Sequence, residues 1–231
     1  MHLEAHNLTL KYPGSASFVF ENLSFKLLQP GFNALFGPSG VGKTSLARII
    51  TGDMPNYSGD IRFEGMHTFL YSYNLERLPG WSSVGRHLQR MTPEGREDLR
   101  EALVGAFGIQ EVMAQRFSQL SLGKKNRVNL LRYLLQDFDL LIMDESLANV
   151  DELTREKIIL KIKAMFPHTF FLYISHNVVE VSKFCNQIIV LRGVARTPPA
   201  CIVQGQDLRI DRGIDRNKLD RTMLEIVNAS S

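Results

Sequence analysis

The chain has 231 residues, 44% of them hydrophobic and 22% charged, which suits one globular domain or one domain with a small subdomain. A formal net charge of +3 without basic runs argues against a nucleic-acid partner, and two widely separated cysteines argue against a disulfide framework or a metal site built on them. The first residues lack a signal-peptide core and the apolar runs are too short to span a bilayer, so we expect any membrane role to require a partner protein.

The N-terminal part of the sequence predicts strands followed by a strand–loop–helix unit. Residues 3–10 and 17–28 alternate apolar and polar side chains, as antiparallel strands do. The apolar run 32–36 predicts a buried strand, residues 46–50 predict a helix, and 61–63 predict a further short strand.

The loop between the buried strand and the helix carries the most informative motif. Its sequence, Gly-Pro-Ser-Gly-Val-Gly-Lys-Thr-Ser, matches the phosphate-binding pattern G-x-x-x-x-G-K-[ST] in the strand–loop–helix context that this motif requires. Glycines let the backbone wrap a phosphate, Lys43 is placed for the β- and γ-phosphates, and Thr44 offers a hydroxyl to Mg²⁺. We therefore expect bound nucleotide rather than a glycine-rich turn that binds nothing. The predicted nucleotide-binding residues here are Gly37, Pro38, Ser39, Gly40, Val41, Gly42, Lys43, Thr44 and Ser45.

The rest of the chain predicts an inserted helical subdomain and then a parallel sheet. Apolar spacing turns helical from about residue 83 to 135, whereas 140–143 and 170–174 are continuous apolar runs, typical of strands buried on both faces. The fold expected is α/β, with a P-loop NTPase core on a mostly parallel sheet, an N-terminal antiparallel β subdomain and the helical insertion. The remaining predicted elements are helices at 86–91, 93–107, 122–135, 154–165 and 217–228 and strands at 187–191 and 201–203.

Two acids follow the apolar strand at 140–143. In P-loop enzymes a carboxylate at such a strand end holds Mg²⁺, which is the role predicted for Asp144. Glu145 is then placed to orient or deprotonate an attacking water. A solvated acidic turn is the alternative, and the P-loop upstream favours the functional interpretation.

The segment Leu120-Ser-Leu-Gly-Lys124, followed by Arg127, resembles the L-S-G-G-Q signature of the ATP-binding-cassette (ABC) ATPases. With the P-loop and the acids in order, the resemblance extends over most of the chain. Ser121 is expected to cap a helix whose positive end faces an anion. The resemblance implies that Ser121 and Gly123 meet the γ-phosphate held by the P-loop of a second cassette, so that two ATP lie between two head-to-tail subunits.

The resemblance also assigns roles to single residues. Tyr12 stands where the family has an aromatic that stacks on adenine, with a simple turn residue as the alternative. Asp151 matches the family's D-loop acid, and His176 matches its switch histidine at the γ-phosphate. Asn74 replaces a glutamine and is expected to reach Mg²⁺ only through water. The predicted catalytic residues are thus Glu145, His176 and Lys43, and the predicted metal ligands are Thr44, Asn74 and Asp144.

Several positions depart from the family pattern. Leu122 replaces the first signature glycine and Lys124 the glutamine, while Ser146 replaces a proline and Asn177 an aspartate. A Cβ at Leu122 is expected to crowd the approach to the γ-phosphate and so to weaken the half-site offered to a partner.

The segment Leu78-Pro-Gly-Trp-Ser-Ser-Val84 is similar to a stretch of nitrate, sulfonate and taurine importers, in a region that receives a helix of the membrane subunit. Trp81 either anchors that contact or lies in the subdomain core. We expect an ATP-hydrolysing subunit that drives a separate permease through the region 74–84, for import of a small solute, on the cytoplasmic face of the membrane. A soluble ABC regulator or nucleic-acid-associated ATPase, and a degenerate cassette that needs a different active partner, remain the alternatives.

Overall fold

The computed structural model describes residues 1–74, 76, 80–194, 196–211 and 213–230 of the chain. The described part contains both strands and helices, with two short 3₁₀ turns between the third and fourth helices. In chain order the elements are β1 (His2–Leu10), β2 (Phe20–Leu27), β3 (Gly31–Phe36), α1 (Lys43–Ile50), β4 (Ser58–Glu64), β5 (Phe69–Tyr73), α2 (Val84–Met91), α3 (Glu97–Ala106), α4 (Leu122–Leu134), β6 (Leu140–Asp144), α5 (Glu152–Met165), β7 (Phe170–Ile174), α6 (Val178–Phe184), β8 (Gln187–Leu191), β9 (Ala200–Gln204) and α7 (Arg216–Ser230).

The first strands form an antiparallel sheet in the order β2-β1-β4. Alternate side chains of β1, including Leu3, Ala5, Leu8 and Leu10, are buried, because successive residues of a strand point to opposite faces. The predicted N-terminal antiparallel strands are confirmed.

The second sheet has six strands in the order β5-β6-β7-β3-β8-β9, parallel except for β9. Successive residues of β6 alternate between two apolar clusters, with Leu141 and Met143 in one and Leu140 and Ile142 in the other. Burial on both faces explains the continuous apolar runs and confirms the mostly parallel sheet. The carboxyl ends of β3, β6 and β7 lie at one edge, where a ligand site is expected in open α/β sheets.

Three helices, α2 to α4, come between β5 and β6, and α4 contacts both α2 and β5. Their buried side chains belong to the same apolar cluster as one face of the six-stranded sheet, in which the rings of Phe32 and Phe171 stack with centroids 4.8 Å apart. None of the helices in the described residues is both long and apolar enough to cross a bilayer.

Most predicted bounds shift by a few residues, and three differences are larger. Helix α3 begins at Glu97 rather than at residue 93, because Gly95 has a φ of +82° that a right-handed helix cannot contain. Strand β5 and helix α6 were not predicted, since both are short, with five and seven residues.

Candidate functional site

The P-loop connects β3 to α1 at the carboxyl edge of the sheet. Gly42 precedes α1 with a φ of +103°, and a Cβ there would lie 2.6 Å from Cγ1 of Val19, so only glycine fits. Gly40 has a φ of +79°, and a Cβ there would have no heavy atom within 4 Å. The loop is therefore tightly packed on its inner side at Gly42 and open to a ligand at Gly40.

Lys43 is held within the P-loop by its own backbone. Its Nζ donates hydrogen bonds to the carbonyl oxygens of Gly37 at 2.7 Å and Pro38 at 2.8 Å. Burial lowers the pKa of Lys43, while the negative charges of Asp144 and Glu145 act in the opposite direction. The ammonium group therefore stands at the loop that is expected to hold phosphates.

Thr44 and Asp144 join the P-loop to the end of β6. The hydroxyl of Thr44 donates to Oδ2 of Asp144 at 3.0 Å, and the hydroxyl of Tyr71 on β5 donates to the same oxygen at 2.7 Å. Burial, with the hydrogen bond to Asp144, raises the pKa of Tyr71 above its ordinary value, so the phenol stays protonated. Sequence reasoning missed Tyr71; its position three residues before Asn74 was the only signal available.

Glu145 and His176 form a second pair beside this one. Glu145 follows β6 with a φ of +50°, and its N–H donates to the carbonyl of Ile174 at 3.1 Å. Its Oε1 lies 2.9 Å from Nδ1 of His176, and both side chains are solvent-accessible. A carboxylate only accepts hydrogen bonds, so Nδ1 of His176 carries the proton when Glu145 is ionised.

Tyr12 lies on the other side of the P-loop. Its hydroxyl is 2.7 Å from Oγ of Ser45, and 44% of the residue is exposed. The cleft beside it is also lined by Phe18, Val19 and residues 40–45. The structure thus brings an exposed aromatic ring to the edge of the P-loop, where the resemblance requires one.

Asn74 sits at the end of β5 and lines the same cleft as Asp144 and Glu145. Its Oδ1 accepts a hydrogen bond from Nδ2 of Asn126 on α4 at 3.0 Å, and that nitrogen also donates to the carbonyl of Ala148 at 2.5 Å. The side-chain oxygen that was predicted to face the metal is therefore bonded to α4.

The signature residues gather elsewhere. Ser121 caps α4 by accepting from the N–H of Lys124 at 3.4 Å, as predicted for an N-cap. A Cβ on Gly123 would lie only 2.3 Å from the carbonyl oxygen of Asn149, so α4 packs tightly on the loop that carries Asp151. Asp151 caps α5, and the hydrogen bond from the N–H of Thr154 lowers its pKa.

The candidate residues fall into two groups. The phosphate-side cluster consists of Lys43, Thr44, Asp144, Glu145 and His176, and the signature-side cluster consists of Ser121, Gly123 and Asp151. Within the described residues, no member of the signature-side cluster lines either cleft beside the P-loop.

The oxygens near the P-loop fit Mg²⁺. Among the described residues there is no group of three or more His, Cys, Asp and Glu side chains that could hold a metal by itself. Mg²⁺ usually takes one or two protein oxygens and completes its shell with water and substrate phosphates. The carboxylate of Asp144 and the hydroxyl of Thr44, in direct contact at 3.0 Å, are donors of this kind.

Trp81 is 81% exposed, so its assignment to the subdomain core is wrong. The wider region 74–84, predicted to contact a permease, includes Leu75 and residues 77–79, which lie outside the described part of the chain.

Comparison with known proteins gives concordant results. The family profile described as ABC transporter matches residues 20–148, more than half of the chain. The molybdenum import ATP-binding protein ModC of Saccharophagus degradans is 30% identical over 77% of this chain and 54% of its own length, so the chain spans about half of that relative. The nickel import ATP-binding protein NikE of Pseudomonas putida is 30% identical over 69% of this chain and 68% of its own. A solved structure of an ATP binding subunit of an ABC transporter shares the fold, with a TM-score of 0.77 at 20% identity, and covers 98% of this chain and 100% of that one.

Proposed function

Because the chain belongs to the ABC transporter family and has the fold of its ATPase domains, we propose that it binds ATP and hydrolyses it with Mg²⁺. The observation that carries the proposal is the contact between Thr44 of the P-loop and Asp144 at the end of β6. This contact supports a metal site beside the phosphates that the P-loop would hold.

Each residue of the phosphate-side cluster has its own proposed role in hydrolysis. Backbone N–H groups of the P-loop and the ammonium of Lys43 bind the phosphates, and Thr44 and Asp144 hold the metal. When bound, Mg²⁺ neutralises charge on the phosphate oxygens. Glu145 orients the attacking water and accepts its proton, while His176 fixes the Glu145 carboxylate through Nδ1 and contacts the γ-phosphate. Tyr12 stacks on the adenine, and Asn74 approaches the metal through water.

The signature-side cluster serves a second cassette. Ser121 and the N–H groups at the start of α4 point their partial positive charge outward, which suits the γ-phosphate on a partner's P-loop. Its separation from the phosphate-side cluster of the same chain supports ATP bound between two head-to-tail subunits, with Asp151 at the same interface.

The proposed partner beyond the second cassette is a membrane permease for import of a small solute, with this chain on the cytoplasmic face. The similarity to ModC and NikE, which are import ATP-binding proteins, supports transport over a soluble regulator or a nucleic-acid-associated role. The exposed ring of Trp81 supports the region 74–84 as the contact, since aromatic side chains dominate interface energetics.

The function is tested by steady-state ATP turnover in Mg²⁺ and in EDTA. Glu145→Gln keeps the shape of the side chain but cannot accept the proton, so turnover should fall by roughly 10²–10⁴ while ATP binding persists. Glu97→Gln, at an exposed glutamate of α3, is the matched control and should turn over like wild type. If Glu145→Gln retained turnover, the assignment of Glu145 as the base would be wrong. If the wild type turned over ATP in EDTA, the proposed requirement for a metal would be wrong.

A further inference from the structure

Tyr71 contributes a contact to Asp144 that the proposed function has not used. It lies on β5 in register with Ile142 of the parallel neighbour β6, with its ring half-buried. From there its hydroxyl reaches Oδ2 of Asp144 at 2.7 Å, so a phenol on one strand bonds the acid at the end of the next.

The two donors on Asp144 share one oxygen. Oδ2 accepts from both Tyr71 and Thr44, and none of the residues that the structure describes hydrogen-bonds Oδ1. Rotation about the last bond of an aspartate side chain is intrinsically broad, so an unsupported carboxylate samples many orientations. Two hydrogen bonds to Oδ2 restrict that rotation and leave Oδ1 available to a metal ion or its bound water.

We propose that Tyr71 is a positioning residue of the metal site, which holds the Asp144 carboxylate so that Oδ1 is presented to Mg²⁺; the inference rests on the proposed function. Without the phenol hydroxyl, Thr44 alone restrains the Asp144 carboxylate. Metal binding must then also order the carboxylate, which weakens the observed affinity for the metal. A hydrogen bond to a charged group can be worth tenfold or more in an equilibrium constant, and because the bond from Thr44 remains, we expect only part of this to appear, as a loss of metal affinity of about 3- to 10-fold.

The chain offers a matched pair of variants. Tyr71→Phe removes only the hydroxyl and keeps the ring that packs beside Tyr73. Tyr133→Phe removes another half-buried phenol, whose hydroxyl donates to a carboxylate oxygen of Glu76 at 2.8 Å on the face of α4. The two variants lose the same kind of hydrogen bond, and only one of the bonds ends on Asp144.

The experiment measures metal binding directly on the full chain. Mn²⁺ is titrated in the presence of saturating ADP and followed by electron paramagnetic resonance, and ADP affinity is measured separately in EDTA. We expect the Mn²⁺ dissociation constant to rise about 3- to 10-fold in Tyr71→Phe and to stay at the wild-type value in Tyr133→Phe. ADP affinity in EDTA should be unchanged in both variants, which also shows that the P-loop is folded.

A parallel assay follows ATP turnover against Mg²⁺ concentration. Tyr71→Phe should need more Mg²⁺ for half-maximal turnover and approach the wild-type rate at saturation, whereas a merely structural role would lower the maximal rate instead. The role of Tyr71, but not the proposed function, would be overturned by either of two results for Tyr71→Phe. One is a Mn²⁺ dissociation constant equal to that of the wild type, and the other is a loss of ADP affinity in EDTA as large as the loss of Mn²⁺ affinity. Failure of the wild-type chain to bind ADP at all would overturn the proposed function and this inference with it.

Discussion

Backbone conformation at single residues places the candidate site. Glu145 adopts a left-handed φ of +50°, which costs a non-glycine residue of order 1 kcal/mol or more and persists only when neighbours enforce it. Its N–H bond to Ile174 and its side-chain contact with His176 supply that enforcement. The turn brings the Glu145 side chain to within 2.9 Å of the histidine, as the proposed role of Glu145 as a base requires.

The tight packing around Gly123 predicts the effect of adding a single methyl group at this position. Gly123→Ala places a Cβ where the carbonyl oxygen of Asn149 is 2.3 Å away, closer than atoms approach without a backbone shift. Overpacking of this kind should lower the free energy of unfolding by about 1–3 kcal/mol in urea denaturation.

The matched control for this prediction is another helical glycine. In Gly105→Ala, on an exposed face of α3, the Cβ would lie 3.6 Å from its nearest neighbour, the amide nitrogen of Gln110. That variant should gain about 0.5–1 kcal/mol, because alanine is the better helix former. Equal effects of the two substitutions would contradict the close approach of α4 to the loop at Asn149.

At the level of whole elements, a buried ion pair ties α5 and α6 to the end of β7. Glu180 of α6 is 5% exposed and bonds Arg155 of α5, while its second oxygen accepts from the hydroxyl of Tyr173 at 2.8 Å. Arg155 in turn donates to the carbonyl of Val150 at 2.6 Å. The network therefore connects the loop before α5, which carries Asp151, to the strand that precedes His176.

Removing one partner of this network should be costly. Glu180→Ala leaves the partly buried Arg155 guanidinium without its counter-charge and the buried Tyr173 hydroxyl without its acceptor, and we expect the free energy of unfolding to drop by about 3–5 kcal/mol. Glu156→Ala removes a more exposed glutamate that pairs with Lys183, and should cost less than about 1 kcal/mol. Both free energies of unfolding are measured by chemical denaturation. Similar losses of stability in the two variants would show that the buried network stabilises the fold no more than the exposed pair does.

Helices and strands were predictable from the sequence where the pattern of their own residues is distinctive. The runs at 170–174 and 187–191 form strands with the predicted bounds, because burial on both faces leaves a continuous apolar signature. Helix α6 was missed although Asn177 and Glu180 have the spacing of a helix start, and Asn177 does cap it through the N–H groups of residues 179 and 180.

Contacts between distant segments were beyond sequence reasoning. The bonds from Tyr71 to Asp144 and from Asn126 to Asn74 join residues that are 73 and 52 positions apart in the chain. They depend on β5 lying beside β6 and on α4 packing against β5, and neither arrangement leaves a periodic pattern in the residues concerned. Motifs thus located the phosphate-side cluster, whereas its supporting contacts required the fold.

At the scale of the whole molecule, the two clusters do not line a common cleft beside the P-loop among the described residues. A self-contained ATPase would need its signature-side residues near its own P-loop, yet Ser121 at the start of α4 lines neither P-loop cleft in the described structure. Leu122, beside it, is 40% exposed. The arrangement favours sites completed by a second copy or by a related chain.

Head-to-tail pairing of identical chains can be tested by complementation. Lys43→Ala removes the cation of the phosphate-side cluster, and Ser121→Arg blocks the signature-side cluster, so each variant alone should be inactive as a homodimer. In a mixed dimer the intact P-loop of one chain faces the intact signature of the other, and one of the two sites is complete. Random pairing of equal amounts should therefore restore up to about a quarter of wild-type turnover.

The concentration dependence of turnover separates the possible outcomes. For a self-pairing chain, wild-type turnover should rise more than linearly with protein concentration, and the mixture should follow the same curve at lower amplitude. If the wild type turns over but the mixture stays as inactive as either variant, the two clusters do not act on one ATP and head-to-tail pairing is wrong. If the wild type binds ATP without turnover at every concentration, catalysis needs either the permease or a different cassette, and the side chain expected to crowd the signature side is Leu122, which is 40% exposed.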